Sequence, residues 1–239
     1  MPRVALFATC IADQLFPQTA IAAVRLLEAA GCAVSFPDGQ SCCGQPAINS
    51  GQPDAALPLV RNFVRVFEEF DAVVSPSGSC AATVHHWYGR LLDPDWADRV
   101  SAVTAKTFEL SQYLVDVLGV IDLGSHLDVR VTYHDACHAL RNLGVRSQPR
   151  ALLEAAGATM VEMPESETCC GFGGTFAVKL GDISSALADA KLGYAATTDA
   201  RYLVSGDAAC LMHLAGRRRR TAQGPEPIHF AELLAGGLA

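Results

Sequence analysis

The pattern that most constrains this chain occurs twice. Cysteines stand at positions 10, 42, 43 and 80, and again at 137, 169, 170 and 210. From Cys10 to Cys42 is 32 positions, and from Cys137 to Cys169 is again 32. The last intervals are close, 37 from Cys43 to Cys80 and 40 from Cys170 to Cys210. Each set has the order single, pair followed by glycine, single. The pair words are SCCGQPAINSG (Ser41–Gly51) and TCCGFGGTF (Thr168–Phe176). The ninth cysteine, Cys32, faces Thr159 in the second copy and reads as a small buried residue.

The surroundings repeat as well. RVALFATC (Arg3–Cys10) parallels RVTYHDAC (Arg130–Cys137); both are short apolar runs rich in Val and aromatics, which predicts strands. TAIAAVRLLEAAG parallels QPRALLEAAG, helical in period and stopped at Gly. CAVSFPD and ATMVEMPE predict second strands. LPLVRNFVRVFEEF and ISSALADAKLGYAATT predict second helices. DAVVSPSGSC and ARYLVSGDAAC predict third strands running into Ser/Gly loops, and FELSQYL matches IHFAELL weakly at the ends. The fold class predicted is α/β: a tandem pseudo-twofold repeat of two Rossmann-like β-α-β halves with parallel sheets, over residues 1–124 and 125–239. Ligands of such sheets sit beyond the carboxyl ends of the strands. Every cysteine of a set follows a predicted strand, so the topology brings all four to one rim.

Where do nine cysteines belong? The start, MPRVALFATCIADQ, lacks the form of a signal peptide, and no apolar segment has the length to span a bilayer. The expected location is the cytoplasm, where thiols stay reduced and regular cysteines point to metal or redox chemistry. The net charge of −7 argues against nucleic acid as a partner. The run Arg217–Arg220, between Gly216 and TAQGPEP, reads as an exposed loop, with an acidic docking partner as the other reading.

Four converging thiols suit a soft metal, either zinc or an iron–sulfur cluster. Adjacent cysteines fit a single tetrahedral zinc poorly, and a cluster offers several iron corners to them. The glycine after each pair suits a turn with positive φ or a close backbone approach. Disulfides and inert cysteines are the remaining alternatives.

Two spaced CCG motifs, with GQPAINSG after the first and GFGGTF after the second, resemble the cysteine-rich (CCG) domain family across essentially the whole chain. That family includes a component of heterodisulfide reductase and iron–sulfur subunits of several oxidases. The words YHDACHALRNLGV, ETCCGFGGTFAVK and PSGSCAATV are most similar to its members that serve bacterial L-lactate oxidation. The resemblance implies an electron-transfer subunit with one or two 4Fe-4S clusters on Cys10, Cys42, Cys43, Cys80, Cys137, Cys169, Cys170 and Cys210. It implies partner subunits of a lactate-oxidising complex, one of them a ferredoxin-like iron–sulfur protein. The fullest family pattern has a fifth thiol per site, in C-x-x-C. Here Ser77 and Asp207 hold those positions, so they are either oxygen donors or ordinary turn residues. Heterodisulfide-reductase-like thiol/disulfide chemistry and structural zinc are the alternative functions.

Around Cys137, His134, Asp135 and His138 are candidates for donors that tune a cluster; otherwise Asp135 caps the next helix and the histidines satisfy local backbone. His85 and His86 follow Cys80 on a predicted helix and read as structural. GFGGTF does not complete a dinucleotide fingerprint, and no catalytic residue is assigned.

Overall fold

A computed structural model describes residues 2–92 and 94–238. Met1 and Ala239, the outer ends of the two expected ranges, lie outside the described residues. The first sheet contains β1 (Arg3–Leu6), β2 (Ala33–Ser35), β3 (Ala72–Ser75) and β4 (Thr107–Glu109), in the order β2-β1-β3-β4. The second contains β5 (Arg130–Tyr133), β6 (Thr159–Met160), β7 (Tyr202–Ser205) and β8 (Glu226–His229), in the order β6-β5-β7-β8. All the pairings within both sheets are parallel. The register is matched too: Val4 faces Val34 and Ala72 as Val131 faces Met160 and Tyr202. The central strands are buried apolar runs, as parallel strands covered on both faces must be.

The helices form where apolar residues recur at the helical period. In the helix Leu57–Phe67, the residues Val60, Phe63, Val64 and Phe67 form one buried face. The helix Pro17–Ala29 starts with proline, which lacks only an N–H that would be unpaired there, and is followed by Gly31 at φ 82°. It buries Ala22, Ala23, Leu26 and Leu27.

Two expectations need correction. The sequence indicates three strands per half, and among the described residues each half has four. The extra strands, β4 and β8, lie in the weakly matched end words, and runs of three or four residues give little periodic signal. The run Arg217–Arg220 is not a loop. It forms the last turns of the helix Ala208–Thr221, and Gly216 does not interrupt it. Cations are favoured at a helix C-terminus. Arg217 is anchored by two bonds of 2.6 Å to Asp189, and Arg218 Nε donates to the Gly224 carbonyl at 3.0 Å.

The halves exchange their ends. The final helix of the second half, Phe230–Gly236, packs on Pro17–Ala29 of the first. Reciprocally, the helical segment Leu110–Val117 packs on Ser147–Ala155. One core therefore runs through both halves, with Leu26, Leu27, Leu110, Leu152, Leu153 and Phe230 inside it. Cys32 is buried in that core. Thr19 donates to Glu232 across the same junction.

Candidate metal centre

Each single cysteine opens a helix. Cys10 and Cys137 are the first residues of Cys10–Leu15 and Cys137–Leu143. Cys80 and Cys210 are the third residues of Gly78–Leu91 and Ala208–Thr221. The positive end of the helix dipole lies at such positions. The pairs sit in turns that favour glycine. Gly44 has φ 88° and Gly171 has φ 90°. A Cβ on Gly171 would lie 2.4 Å from the Ser184 carbonyl oxygen, and one on Gly44 would lie 3.0 Å from the Ala56 Cβ. The N–H of each glycine donates back to the first sulfur of its pair, to Cys42 at 3.4 Å and to Cys169 at 3.3 Å.

The sulfurs converge within each half. Cys43 and Cys80 are 3.4 Å apart, and Cys170 and Cys210 are 2.9 Å apart. These exceed the bonded distance of about 2.05 Å. All nine cysteines are free. A thiol hydrogen bond from Cys10, then one from Cys43, pulls the Cys42 pKa down to about 3. The same bonds from Cys137 and Cys170 pull Cys169 down to about 2. Donating in these bonds pushes Cys10, Cys43, Cys137 and Cys170 up, and burial adds to it. In each half the negative charge thus gathers on the first sulfur of the pair, and the thiols that donate to it resist ionising. Four thiolates could coexist there only around a cationic centre.

All eight sulfurs line one cavity of about 180 Å³. Water occupies about 30 Å³ in the liquid, so this space holds more than a single ion. The sequence places each set of four at a rim; the structure sets both rims face to face. The helix Gly78–Leu91 packs on Cys137–Leu143, so closely that a Cβ on Gly78 would lie 2.5 Å from the Ala139 Cβ. The helix Cys10–Leu15 touches Ala208–Thr221 more lightly. Ser77 and Asp207 fasten this junction. Ser77 caps its helix by accepting from the Cys80 N–H at 3.4 Å, and Asp207 caps its own by accepting from the Ala209 N–H at 3.1 Å. Asp207 also accepts from Ser77 Oγ at 3.3 Å and from the Ser79 N–H at 3.0 Å. Both residues line the cavity.

The segment around Cys137 divides into different roles. His138 lines the cavity, with Nδ1 3.8 Å from Cys137 Sγ. Asp135 does not cap the following helix, whose cap position is Ala136. Its buried carboxylate instead takes a bidentate pair from Arg150 at 2.8 and 2.9 Å, which satisfies both oxygens at once. His134 is fully buried, and neither ring nitrogen has a hydrogen-bond partner among the described residues. It therefore does not satisfy local backbone. Its ligating atom and the sulfurs of Cys170 and Cys210 lie within 4.8 Å of one another. Burial, followed by the charge on Lys191, lowers its pKa to about 4, so the ring is neutral.

Lys191 is a functional candidate that sequence reasoning missed. It is fully buried, and its Nζ donates to the carbonyls of Glu165 at 2.5 Å and Ser166 at 3.1 Å. The available signal is its place among Ala188, Leu192 and Ala195 on the buried face of its helix. Burial lowers its pKa to about 8, against the pull of Cys170, Asp135, Cys169 and Cys210. His85 and His86 lie on the helix Gly78–Leu91. His85 Nε2 is 2.7 Å from the Thr107 carbonyl, and His86 Nε2 is 3.1 Å from Arg90.

The chain is similar in sequence to known proteins. Residues 4–85 and 131–215 match the family described as "Cysteine-rich domain" (CCG). "Lactate utilization protein A" of Geobacillus kaustophilus (strain HTA426) is 44% identical over 237 residues, covering 97% of this chain and 98% of that protein. "Lactate utilization protein A 2" of Bacillus cereus (strain 03BB102) is 40% identical over 239 residues, covering 99% of each. Among solved structures, glutamate racemase RacE1 from Bacillus anthracis aligns with a TM-score of 0.39 at 11% identity, over 98% of this chain and 77% of that one.

Proposed function

The chain belongs to the cysteine-rich (CCG) domain family, with the lactate utilization A proteins among its relatives, and from that premise we propose that it is an iron–sulfur electron-transfer subunit of a complex that oxidises L-lactate to pyruvate. Each half, residues 1–124 and 125–239, is one CCG repeat. Cys10, Cys42, Cys43 and Cys80 hold one 4Fe-4S cluster, and Cys137, Cys169, Cys170 and Cys210 hold the other. The observation that carries this reading is the convergence of eight free thiols, in two matched fours, on one cavity.

Three features support the fit. The donor set is all sulfur, which suits iron–sulfur clusters. The positive-φ turns at Gly44 and Gly171, where a Cβ would crowd Ala56 and Ser184, present both cysteines of each pair to the cavity. The depressed pKa of Cys42 and Cys169 leaves one sulfur in each half ready to meet a cation.

When bound, a cluster of this kind takes up and releases single electrons. The chain's own residues bind and shield it. The helix N-termini place positive partial charge beside Cys10, Cys80, Cys137 and Cys210. Asp207 and Ser77 clamp the two halves so that the sites keep a fixed separation. The other subunits, including a ferredoxin-like protein, deliver and collect electrons, and the protein works in the cytoplasm. No helix among the described residues is long and apolar enough to cross a membrane.

Metal analysis of anaerobically purified protein tests this reading. Iron with acid-labile sulfide is expected. Zinc alone would favour a structural metal protein, with His134, Cys170 and Cys210 as its nearest trio. Disulfide turnover by metal-free protein would favour thiol chemistry.

A further inference from the structure

The two four-thiol sets differ in what stands behind their sulfurs. In the repeat, Phe7 and His134 occupy the same place, three residues before Cys10 and Cys137. Phe7 lies in an aromatic cluster, with ring centroids 5.0 Å from Phe63 and 5.6 Å from Phe67. Tyr88 completes that cluster, but its hydroxyl donates to the Cys43 carbonyl at 3.1 Å rather than to a sulfur. The first-half thiols therefore back onto an apolar wall.

The second-half wall is polar and carries both signs of charge, with the Asp207 carboxylate held by the Ser77 hydroxyl and by the Ser79 and Ala209 N–H groups. His134 stands within 4.8 Å of the Cys170 and Cys210 sulfurs, yet it is not among the residues that line the cavity. It reaches those sulfurs from behind. Buried nitrogens without partners are rare in folded proteins and call for an explanation. A neutral imidazole always carries one N–H. The soft acceptors that the structure places beside it are these two sulfurs. Lys191 is buried, and its Nζ donates at 3.1 Å to the Ser166 carbonyl, which also accepts from the N–H of Asp135, the residue after His134.

We propose that His134, donating an imidazole N–H toward the Cys170 and Cys210 thiolates with Lys191 behind it, makes the second-half cluster the more easily reduced of the two. This rests on the iron–sulfur reading above. Reduction adds one negative charge to a thiolate-bound centre. Hydrogen-bond donors and a buried cation stabilise that extra charge, and an aromatic wall does not. The first electron taken up by the protein therefore resides at the second-half centre. No bond breaks, and no proton moves. The asymmetry gives the shared cavity a direction, from the Phe7 side to the His134 side. His134 is a positioning residue in this scheme, acting through the sulfurs.

A reductive titration with dithionite, followed by EPR on the anaerobically reconstituted full chain, tests the proposal. Two separate reduction steps are expected. His134→Phe, which installs the first half's residue, should lower the upper midpoint toward the lower one and leave the lower one in place. His134→Gln, which retains an N–H donor, should stay closer to the wild type. Lys191→Met should lower the same step independently. Pulsed EPR of the wild type needs no variant, and should find an exchangeable proton or imidazole nitrogen coupled only to the centre reduced first. Two centres of equal potential, or an upper step indifferent to both substitutions, would overturn this proposal alone. The same holds if no such coupling is found. A protein that binds no iron would overturn the electron-transfer reading and this proposal with it.

Discussion

Gly171 shapes the second thiol turn by what it lacks. At φ 90°, any other residue is strained, and a Cβ would lie 2.4 Å from a backbone oxygen that cannot move aside. Gly171→Ala is expected to destabilise the metal-free protein by about 2–3 kcal/mol, combining backbone strain with the clash. Gly44→Ala meets only the Ala56 methyl at 3.0 Å and should cost about 1–2 kcal/mol, mainly from φ. Urea unfolding of both variants checks the order; equal losses would contradict it. A second prediction concerns Glu109, buried at the end of β4, where burial pushes its pKa up to about 7 against hydrogen bonds from Ser111 and the Gln112 N–H. The folded chain keeps this proton while the unfolded chain releases it near pH ~4.3. Its contribution is thus complete below about pH 4.3 and is lost as pH rises through about 7. Glu109→Gln should remove that slope, so its stability relative to the wild type rises between those pH values and levels off above them. A pH series of urea melts on metal-free protein reads this directly, and a flat difference would contradict it.

At the scale of elements, Ser77 and Asp207 connect helix capping to the junction between halves. Ser77→Ala removes one cap and should cost about 1 kcal/mol. Asp207→Ala removes a cap and also the acceptor for the Ser77 hydroxyl and the Ser79 N–H of the other half. Hydrogen bonds to charged groups contribute about 1.5–3 kcal/mol each, so the Asp207 loss should be clearly the larger. Thermal unfolding of the two variants compares them, and a smaller loss for Asp207→Ala would contradict this role. Most elements are legible in the sequence because each carries its own local signal. Val60, Phe63, Val64 and Phe67 announce a helix face, and Val73 with Val74 a buried strand. Arg217–Arg220 misleads because four cations without an apolar partner look like a solvated loop. Their helix is held by a long-range contact with Asp189 and a local one with Gly224 just beyond its end. Asp135 misleads for a similar reason. Its position fits a cap, but its partner, Arg150, comes from the helix after the one it precedes.

At the scale of the whole molecule, the repeat in the sequence reveals two units but not their exchange. The helix Phe230–Gly236 covers Pro17–Ala29, and Leu110–Val117 covers Ser147–Ala155, so neither half has a complete core alone. The metal-free chain should therefore unfold in one cooperative transition by near- and far-ultraviolet circular dichroism, with two resolved transitions as the contradicting result. Cysteine spacing makes each four-thiol set legible, since the strands return all four to one rim. It does not reveal that the rims face one another, because that depends on Gly78 packing against Ala139 across the halves. Nor does spacing reveal Lys191 or the unpartnered ring nitrogens of His134, which only burial makes visible. The most direct measurement is anaerobic reconstitution with iron and sulfide, followed by EPR of the reduced protein, on the wild type and on Cys43→Ser and Cys170→Ser. The wild type should bind iron and sulfide and give cluster spectra, and each substitution should remove the spectrum of its own half. A chain that binds no iron, or spectra untouched by both substitutions, would contradict the assignment.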